Sequence, residues 1–243
     1  MKSVSIIIPT YNGLRYLQDC IASIRAQTPF PHEIIVVDNG SDDGTVEFCR
    51  NERLIFIANP DNAGFPGACN AGMKIASGDA LLLLNNDVLV SRYWLSSMLN
   101  CLYSGADIGI VGPMTNYGSG RQQIDIPYTN LEEIAEHYRR AYQGNWLEVR
   151  RIIGLCMLIK REVTERIGFL DERFAPGHYE DDDYCYRARM AGFRLMIARD
   201  AFVFHYGSAS FNREGEERVR QLIQRNRGLF IEKWGVDPVQ LMD

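Results

Sequence analysis

The chain predicts an α/β fold in which helices flank a mostly parallel sheet, and three observations carry that reading. Strand-like and helix-like segments alternate from Val4 to Leu84, the pattern that right-handed crossovers and parallel pairing produce. The run Ala80-Leu81-Leu82-Leu83-Leu84 is too apolar for a half-exposed strand and reads as a central strand covered on both faces. Polar residues collect where strands stop, at Thr10, Asp38, Asn62 and Asn85-Asn86-Asp87. In open α/β sheets, ligands bind outside the carboxyl ends of the strands.

The elements follow in order. Val4 to Ile8 is a short β-branched strand, ended by Pro9-Thr10-Tyr11-Asn12-Gly13. Leu14, Leu17, Ile21 and Ile24 carry helical spacing up to Gln27. Ile34 to Val37 is a second buried strand, followed by the turn-rich Asp38 to Thr45, where Ser41 or Asp42 is the expected cap of a short helix to Arg50. Leu54 to Ala58 is a third strand, and a helix of small residues runs from about Gly67 to Ala76. After Asp87 come a helix over 93–102, a strand at Ile108 to Val111, a polar loop from Thr115 to Tyr128 and a charged helix over 131–142. A strand is expected over Ile152 to Ile159, where the small residues Gly154 and Cys156 mark close approach of a ligand or another backbone. A helix follows the acidic run at 180–183, and two short strands follow at Leu195 to Ala198 and Phe202 to Phe204. A basic amphipathic helix closes the chain, with Val219, Leu222, Ile223, Leu229, Phe230 and Trp234 as its apolar face.

The 243 residues make one large domain or two small ones. With 46% hydrophobic and 23% charged residues, the composition is that of a soluble globular protein. A net charge of -5 argues against nucleic acid as a partner. Arg213, Arg218, Arg220, Arg225 and Arg227 cluster late; a solvated helix face explains them, with an anionic or membrane-surface contact as the other reading. None of the six cysteines forms a CxxC pair, so they read as buried thiols of a reducing cytoplasm. No apolar stretch approaches spanning length.

Two concentrations of acid carry chemistry. Asp87 ends the buried leucine strand, and His205 ends another apolar strand, so the two are candidates for a shared site. Carboxylate, imidazole and phosphate oxygen together suit Mn²⁺ or Mg²⁺ better than zinc. Glu180-Asp181-Asp182-Asp183 opens a helix, where acids in the first turn are favoured by the helix dipole. One of the four is also a candidate general base. Neither GxGxxG after the first strand nor GxxxxGK[ST] is present.

In order along nearly the whole chain, Ile6-Ile7-Ile8-Pro9-Thr10-Tyr11-Asn12-Gly13, Val36-Val37-Asp38-Asn39-Gly40-Ser41, Asn59-Pro60-Asp61-Asn62-Ala63-Gly64-Phe65, Leu84-Asn85-Asn86-Asp87, Glu180-Asp181-Asp182-Asp183 and His205-Tyr206-Gly207-Ser208 resemble the motifs of family 2 glycosyltransferases, and most nearly the bacterial rhamnosyltransferase-like branch. The resemblance implies a single GT-A domain over residues 1–243, Rossmann-like with a mixed, mostly parallel sheet. Residues 1–113 would hold the donor, and residues 114–243, with the last helix, the acceptor. Thr10, Tyr11, Asp38, Asn62, Gly64, Asn85 and Asn86 would line the nucleotide-sugar site. Asp38 would accept from the N3–H of uracil or thymine. Asp87 and His205 would hold the cation, and Asp181 would be the base. The family's first acidic metal position is Asn85 here, a neutral and weaker ligand. The stretch Thr115 to Gln123 is an expected lid, with Arg121 touching phosphate. The expected reaction is inverting transfer from a UDP- or dTDP-sugar, dTDP-rhamnose included, to a glycan, lipid-linked or protein hydroxyl. The expected location is the cytoplasm, with peripheral contact at the inner face of the membrane. A sugar nucleotidyltransferase and a non-catalytic nucleotide- or carbohydrate-binding module are the alternative readings; the first would carry a basic glycine-rich loop after the first strand, and the second has no need of Asp87, Asp181 and His205 together.

Overall fold

The computed structural model describes residues 2–124, 130–207 and 215–241. Arg213, Ser208 and the end of the 115–128 loop lie outside the described residues. The elements are β1 (Val4–Thr10), α1 (Leu14–Gln27), β2 (His32–Asp38), α2 (Thr45–Asn51), β3 (Ile55–Ala58), α3 (Gly64–Ile75), β4 (Ala80–Leu84), β5 (Val88–Val90), α4 (Trp94–Leu102), β6 (Ile108–Thr115), α5 (Leu131–Tyr142), β7 (Trp146–Val149), β8 (Cys156–Lys160), α6 (Arg161–Ile167), α7 (Glu180–Met190), β9 (Arg194–His205) and α8 (Glu216–Trp234).

One mixed sheet runs β3-β2-β1-β4-β8-β6-β9-β5, with β7 also paired to β9. Parallel pairing joins the first half, β3-β2-β1-β4. The second half attaches through antiparallel β8, and only its β6–β9 pair among the described pairings is parallel. The central strand β4 explains its own sequence. Leu82 and Leu84 face a core built with α1 and α4, through Leu17, Ile21, Trp94 and Met98. Leu81 and Leu83 face the opposite core, with Ala68, Cys69 and Met73 of α3 and Tyr184 of α7. Burial of each such leucine contributes about 1.5–3 kcal/mol. Small residues let α3 lie close: a Cβ on Gly72 would sit 2.4 Å from Ile7 Cγ2.

The structure departs from the sequence reading in several places, including a helix, α6, that it did not expect. The three-residue β5 and four-residue β7 are too short to show a period. The strand expected over 152–159 begins at Cys156, because the preceding backbone turns toward α7. The two short strands expected near the end are one strand, β9: Pro113 pairs with Ala198 and Met114 with Phe202, so Arg199, Asp200 and Ala201 bulge out between them. Neither Ser41 nor Asp42 caps α2; Asp43 binds the Thr45 amide and hydroxyl and the Leu14 amide instead. In α8, the buried centre includes Asn226 beside Phe230.

All six cysteines are unpaired and buried, as expected. No described helix is long and apolar enough to cross a membrane.

Candidate active site

The parallel strands β1, β2, β3 and β4 end on one edge, which gathers the polar residues. Thr10 pairs with Asp38 across β1 and β2, and Asp38 with Ala58 across β2 and β3. Asp38 is 1% exposed. Its Oδ2 accepts from the Ser41 amide at 3.1 Å, while its Oδ1 is buried with no hydrogen-bond partner among the described residues. A buried carboxylate oxygen without a donor carries a large desolvation cost, which an incoming N–H relieves. Tyr11, the residue after Thr10, is 42% exposed.

Other expected contacts are engaged within the fold. The buried Asn86 donates to Thr10 Oγ1 at 2.8 Å, and a Cβ on Gly13 would lie 2.3 Å from its Nδ2. Asn86 therefore braces the β1 loop. Asn62 Oδ1 accepts from the Gly64 amide at 2.9 Å, a local turn at the start of α3. Gly64 takes φ +73°, and a Cβ there would meet Pro176 Cα at 2.8 Å. The Phe65 amide donates to Pro176 O at 2.8 Å, so the donor-side loop abuts the loop that leads to the acidic run.

Asp87 and His205 meet because β5 pairs antiparallel with β9, setting Val88 opposite His205. His205 Nε2 lies 3.1 Å from Asp87 Oδ1, and both side chains are buried. His205 Nδ1 is 2.9 Å from Tyr117 O, and Asn116 makes a two-way amide pairing with the His205 backbone. Burial lowers the proton affinity of the imidazole, but the hydrogen bond and charge of Asp87, with the Tyr117 carbonyl, outweigh it and raise its pKa. In a neutral ring that keeps Nδ1–H on Tyr117 O, Nε2 would give up its proton toward Asp87 and offer a lone pair to an ion. A carboxylate oxygen and an imidazole nitrogen are donors that Mn²⁺ or Mg²⁺ accepts. Among the described residues no group of three His, Cys, Asp or Glu converges, so the remaining ligands for such an ion would be substrate oxygens, amides or water.

The acidic run opens α7 immediately after two left-handed residues, His178 and Tyr179, both at φ 72°. Non-glycine residues hold that conformation only where surroundings over-determine it. Here Asn226 of α8 donates to the carbonyls of Phe174, Gly177 and His178 at 2.7–3.0 Å. The four acids then divide their tasks. Asp183 accepts from Lys233 Nζ at 2.6 Å, Trp234 Nε1 at 2.8 Å and Arg187 Nε at 2.8 Å, tying α7 to α8. Asp182 forms a 2.7 Å ion pair with Arg151 Nε, off the N–H axis since that nitrogen makes no directed hydrogen bond. Burial pushes the Glu180 and Asp182 carboxyls up, and the charge of Asp181 adds to it, while Arg151 pulls both back. Asp181 accepts from the Gly154 amide through Oδ2 and from the Asp182 amide through Oδ1, both at 2.9 Å.

One backbone step joins the two acidic centres. The Asn85 amide donates to Leu155 O at 2.9 Å, and the neighbouring Gly154 holds Asp181. The small residue that marked a close approach thus approaches the acidic turn. The 115–123 stretch expected as a lid is pinned: Asn116 to His205, Ser119 to Arg151, and the buried Gln122 to Pro113 O and the Ile153 amide. Arg121 is exposed. Arg151, Asn116, Tyr117 and Asn226 hold the site together, and sequence reasoning missed them; a lone polar residue whose partner is distant leaves no local signal.

The family model described as Glycosyl transferase family 2 matches residues 5–168. The match ends before Asp181 and His205. A Sinorhizobium fredii protein, y4gI, is 30% identical over 95% of this chain, which spans 27% of that relative. The glycosyltransferase AglE of Haloferax volcanii is 27% identical over 98% of this chain and 76% of its own length. Among solved structures, the mannosyltransferase PcManGT from Pyrobaculum calidifontis, in complex with GDP-Man and Mn²⁺, superposes with a TM-score of 0.64 and 22% identity, over 83% of this chain and 56% of its own.

Proposed function

The chain belongs to glycosyl transferase family 2, and from that premise we propose that it moves a sugar, with inversion, from a nucleoside-diphosphate donor to an acceptor hydroxyl. The observation that carries the reading is the gathering at one sheet edge of a buried Asp38 oxygen without a hydrogen-bond partner among the described residues and the Asp87–His205 pair, with Asp181 of α7 joined to that edge through Gly154 and Leu155.

Each residue has a task the geometry supports. Asp38 Oδ1 accepts from the N3–H of a uracil or thymine ring, which favours UDP- or dTDP-sugars; dTDP-rhamnose is one such donor. The neighbour with GDP-Man shares the fold, so the base preference is argued from Asp38 alone. Thr10, Tyr11, Asn62 and Gly64 border the nucleotide, with Asn85 on the ribose or diphosphate side and Asn86 bracing the loop from behind. Asp87 and His205 would hold Mn²⁺ or Mg²⁺, whose chemistry when bound is to offset charge on the departing diphosphate. Asp181 takes the proton of the acceptor hydroxyl as that oxygen attacks the anomeric carbon and the bond to the diphosphate breaks. A single displacement inverts the anomeric centre. Residues 1–113 hold the donor, and the remainder, with α7 and α8, receives the glycan, lipid-linked or protein acceptor.

A thermal-shift series with UDP-glucose, UDP-N-acetylglucosamine, dTDP-rhamnose and GDP-mannose, each with and without Mn²⁺, tests the reading. A true donor stabilises the fold by mass action. Absence of stabilisation by every nucleotide sugar, with the ion present, defeats it.

A further inference from the structure

We propose that Arg151 is a positioning residue for Asp181: its guanidinium locks the acidic turn to the 115–123 loop and so fixes where Asp181 meets the acceptor hydroxyl. The inference rests on Asp181 being the base.

Arg151 lies between β7 and β8, with its side chain 18% exposed. Three groups hold its guanidinium. Nε is 2.7 Å from Asp182 Oδ1, Nη2 is 3.8 Å from Asp181 Oδ2, and Nη1 donates to Ser119 Oγ at 2.9 Å. Three residues on, the same chain segment supplies the Gly154 amide to that same Asp181 oxygen. One short stretch thus gives Asp181 a backbone donor and, at longer range, a cation whose close partner is the adjacent Asp182.

Arg151 pairs with the acidic turn at Asp182 and, at longer range, at Asp181. Burial pushes the neighbouring Glu180 and Asp182 carboxyls up and Arg151 pulls both back, so the guanidinium offsets the like charge that arises beside Asp181 when either neighbour loses its proton. The shape of the group matters beside its charge: the planar guanidinium presents one edge to the acidic turn while Nη1 reaches Ser119, whereas a lysine ammonium is a single point.

The third partner extends the arrangement to the other centre. Ser119 sits on the loop whose Asn116 and Tyr117 hold the backbone and ring of His205. A chain of contacts therefore runs from Asp181 through Arg151 and Ser119 to His205. Seating of that loop registers the base against the pair that would hold the cation.

The test compares R151A, R151K, S119A and D181N in the full chain. Release of nucleoside diphosphate is measured from the nucleotide sugar that stabilises the chain most, with Mn²⁺ present and water as acceptor. Misplacement of a catalytic group by about 1 Å costs on the order of 100-fold. R151A is expected to lose about that factor in kcat, with donor KM held within about twofold, and methylguanidinium in the buffer should restore about tenfold. R151K should keep an intermediate rate, and S119A should lose several-fold in kcat alone. D181N should lose its rate without rescue by methylguanidinium. Should R151A fail to fold, as read by its thermal melt, R151K and S119A decide the matter through the same kcat-against-KM split. The proposal is overturned by unchanged kcat in the Arg151 variants, by loss confined to donor KM, or by failure of methylguanidinium to rescue a folded R151A. Full turnover by D181N overturns the base assignment and this inference with it, a result distinct from the others.

Discussion

Gly154 donates its amide hydrogen to Asp181 Oδ2 over 2.9 Å, while its neighbour Leu155 accepts from the amide of Asn85. Two adjacent residues ahead of β8 therefore join the end of the leucine strand to the acidic turn. In the proposed reaction, the spacing between donor site and base is set by this two-residue backbone turn, and rigid backbone is a better ruler than a side chain.

Replacing Asp181 by Asn keeps its size and one of its two accepted backbone hydrogen bonds but removes the proposed base. We expect D181N to bind nucleotide sugar as well as the parent and to lose about 100-fold or more in transfer. Isothermal titration and product formation, measured together, separate the two. Transfer within a few-fold of the parent rejects the assignment.

Cytosine lacks the N3–H that uracil presents. The parent chain should therefore bind UDP more tightly than CDP, by about 1.5–3 kcal/mol if one hydrogen bond to a charged acceptor decides it. D38A should erase that preference. Equal affinities in the parent chain remove Asp38 from base recognition.

The Asp87–His205 pair predicts a cation requirement. Chelation with EDTA should abolish transfer, and Mn²⁺ or Mg²⁺ should restore it. D87A and H205A should each weaken Mn²⁺ binding, measured by its paramagnetic signal in the presence of UDP. Undiminished Mn²⁺ binding by both variants argues against the pair as ligands.

Glu180 gives a pH signature. Burial and the Asp181 charge raise its pKa well above the ordinary 4.5. From that ordinary value up to its folded one, the native state holds more protons than the unfolded chain, so this group lowers stability as pH rises. E180Q removes that titration. Its melting temperature should match or trail the parent below about pH 4.5 and gain on it toward pH 8, by up to about 1.4 kcal/mol per pH unit. A difference that stays flat with pH contradicts the protonated state.

Asp183 supplies the structural contrast. Fully buried and bound by Arg187, Lys233 and Trp234, it leaves uncompensated cations when removed. D183A should cost about 3–5 kcal/mol, on the order of 10 °C in melting temperature for a chain of this size. A loss under 1 kcal/mol refutes the clamp.

The sequence displayed what repeats locally or interrupts a pattern. Leu81 to Leu84 announced a strand buried twice over, and Asp38, Asp87 and Asp181 stood out because each breaks an apolar run or opens a helix. The supports were hidden for one reason. Arg151 meets Ser119 across 32 positions, Asn226 meets Phe174 across 52, and Asn116 meets His205 across 89. Pairs that distant follow from how strands and helices are ordered in space, and no local period shows that β8 inserts between β4 and β6 or that α8 packs on the loop ahead of α7. Asn86 shows the opposite case: a polar residue in a conspicuous place whose amide braces a loop.

The bond between Trp234 and Asp183 makes the indole a built-in optical gauge. Of the three tryptophans, Trp94 is sealed in the core against Thr28, whereas Trp234 rests on Tyr186 and donates its Nε1–H to a buried carboxylate at the root of α7. Any loosening of α8 from the acidic turn exchanges that anion for water around the excited dipole. Against the emission of Trp94 and the half-buried Trp146 of β7, the change in emission colour and quencher access, compared with a W234F variant, reads the docking of the last helix on the unlabelled chain and in real time.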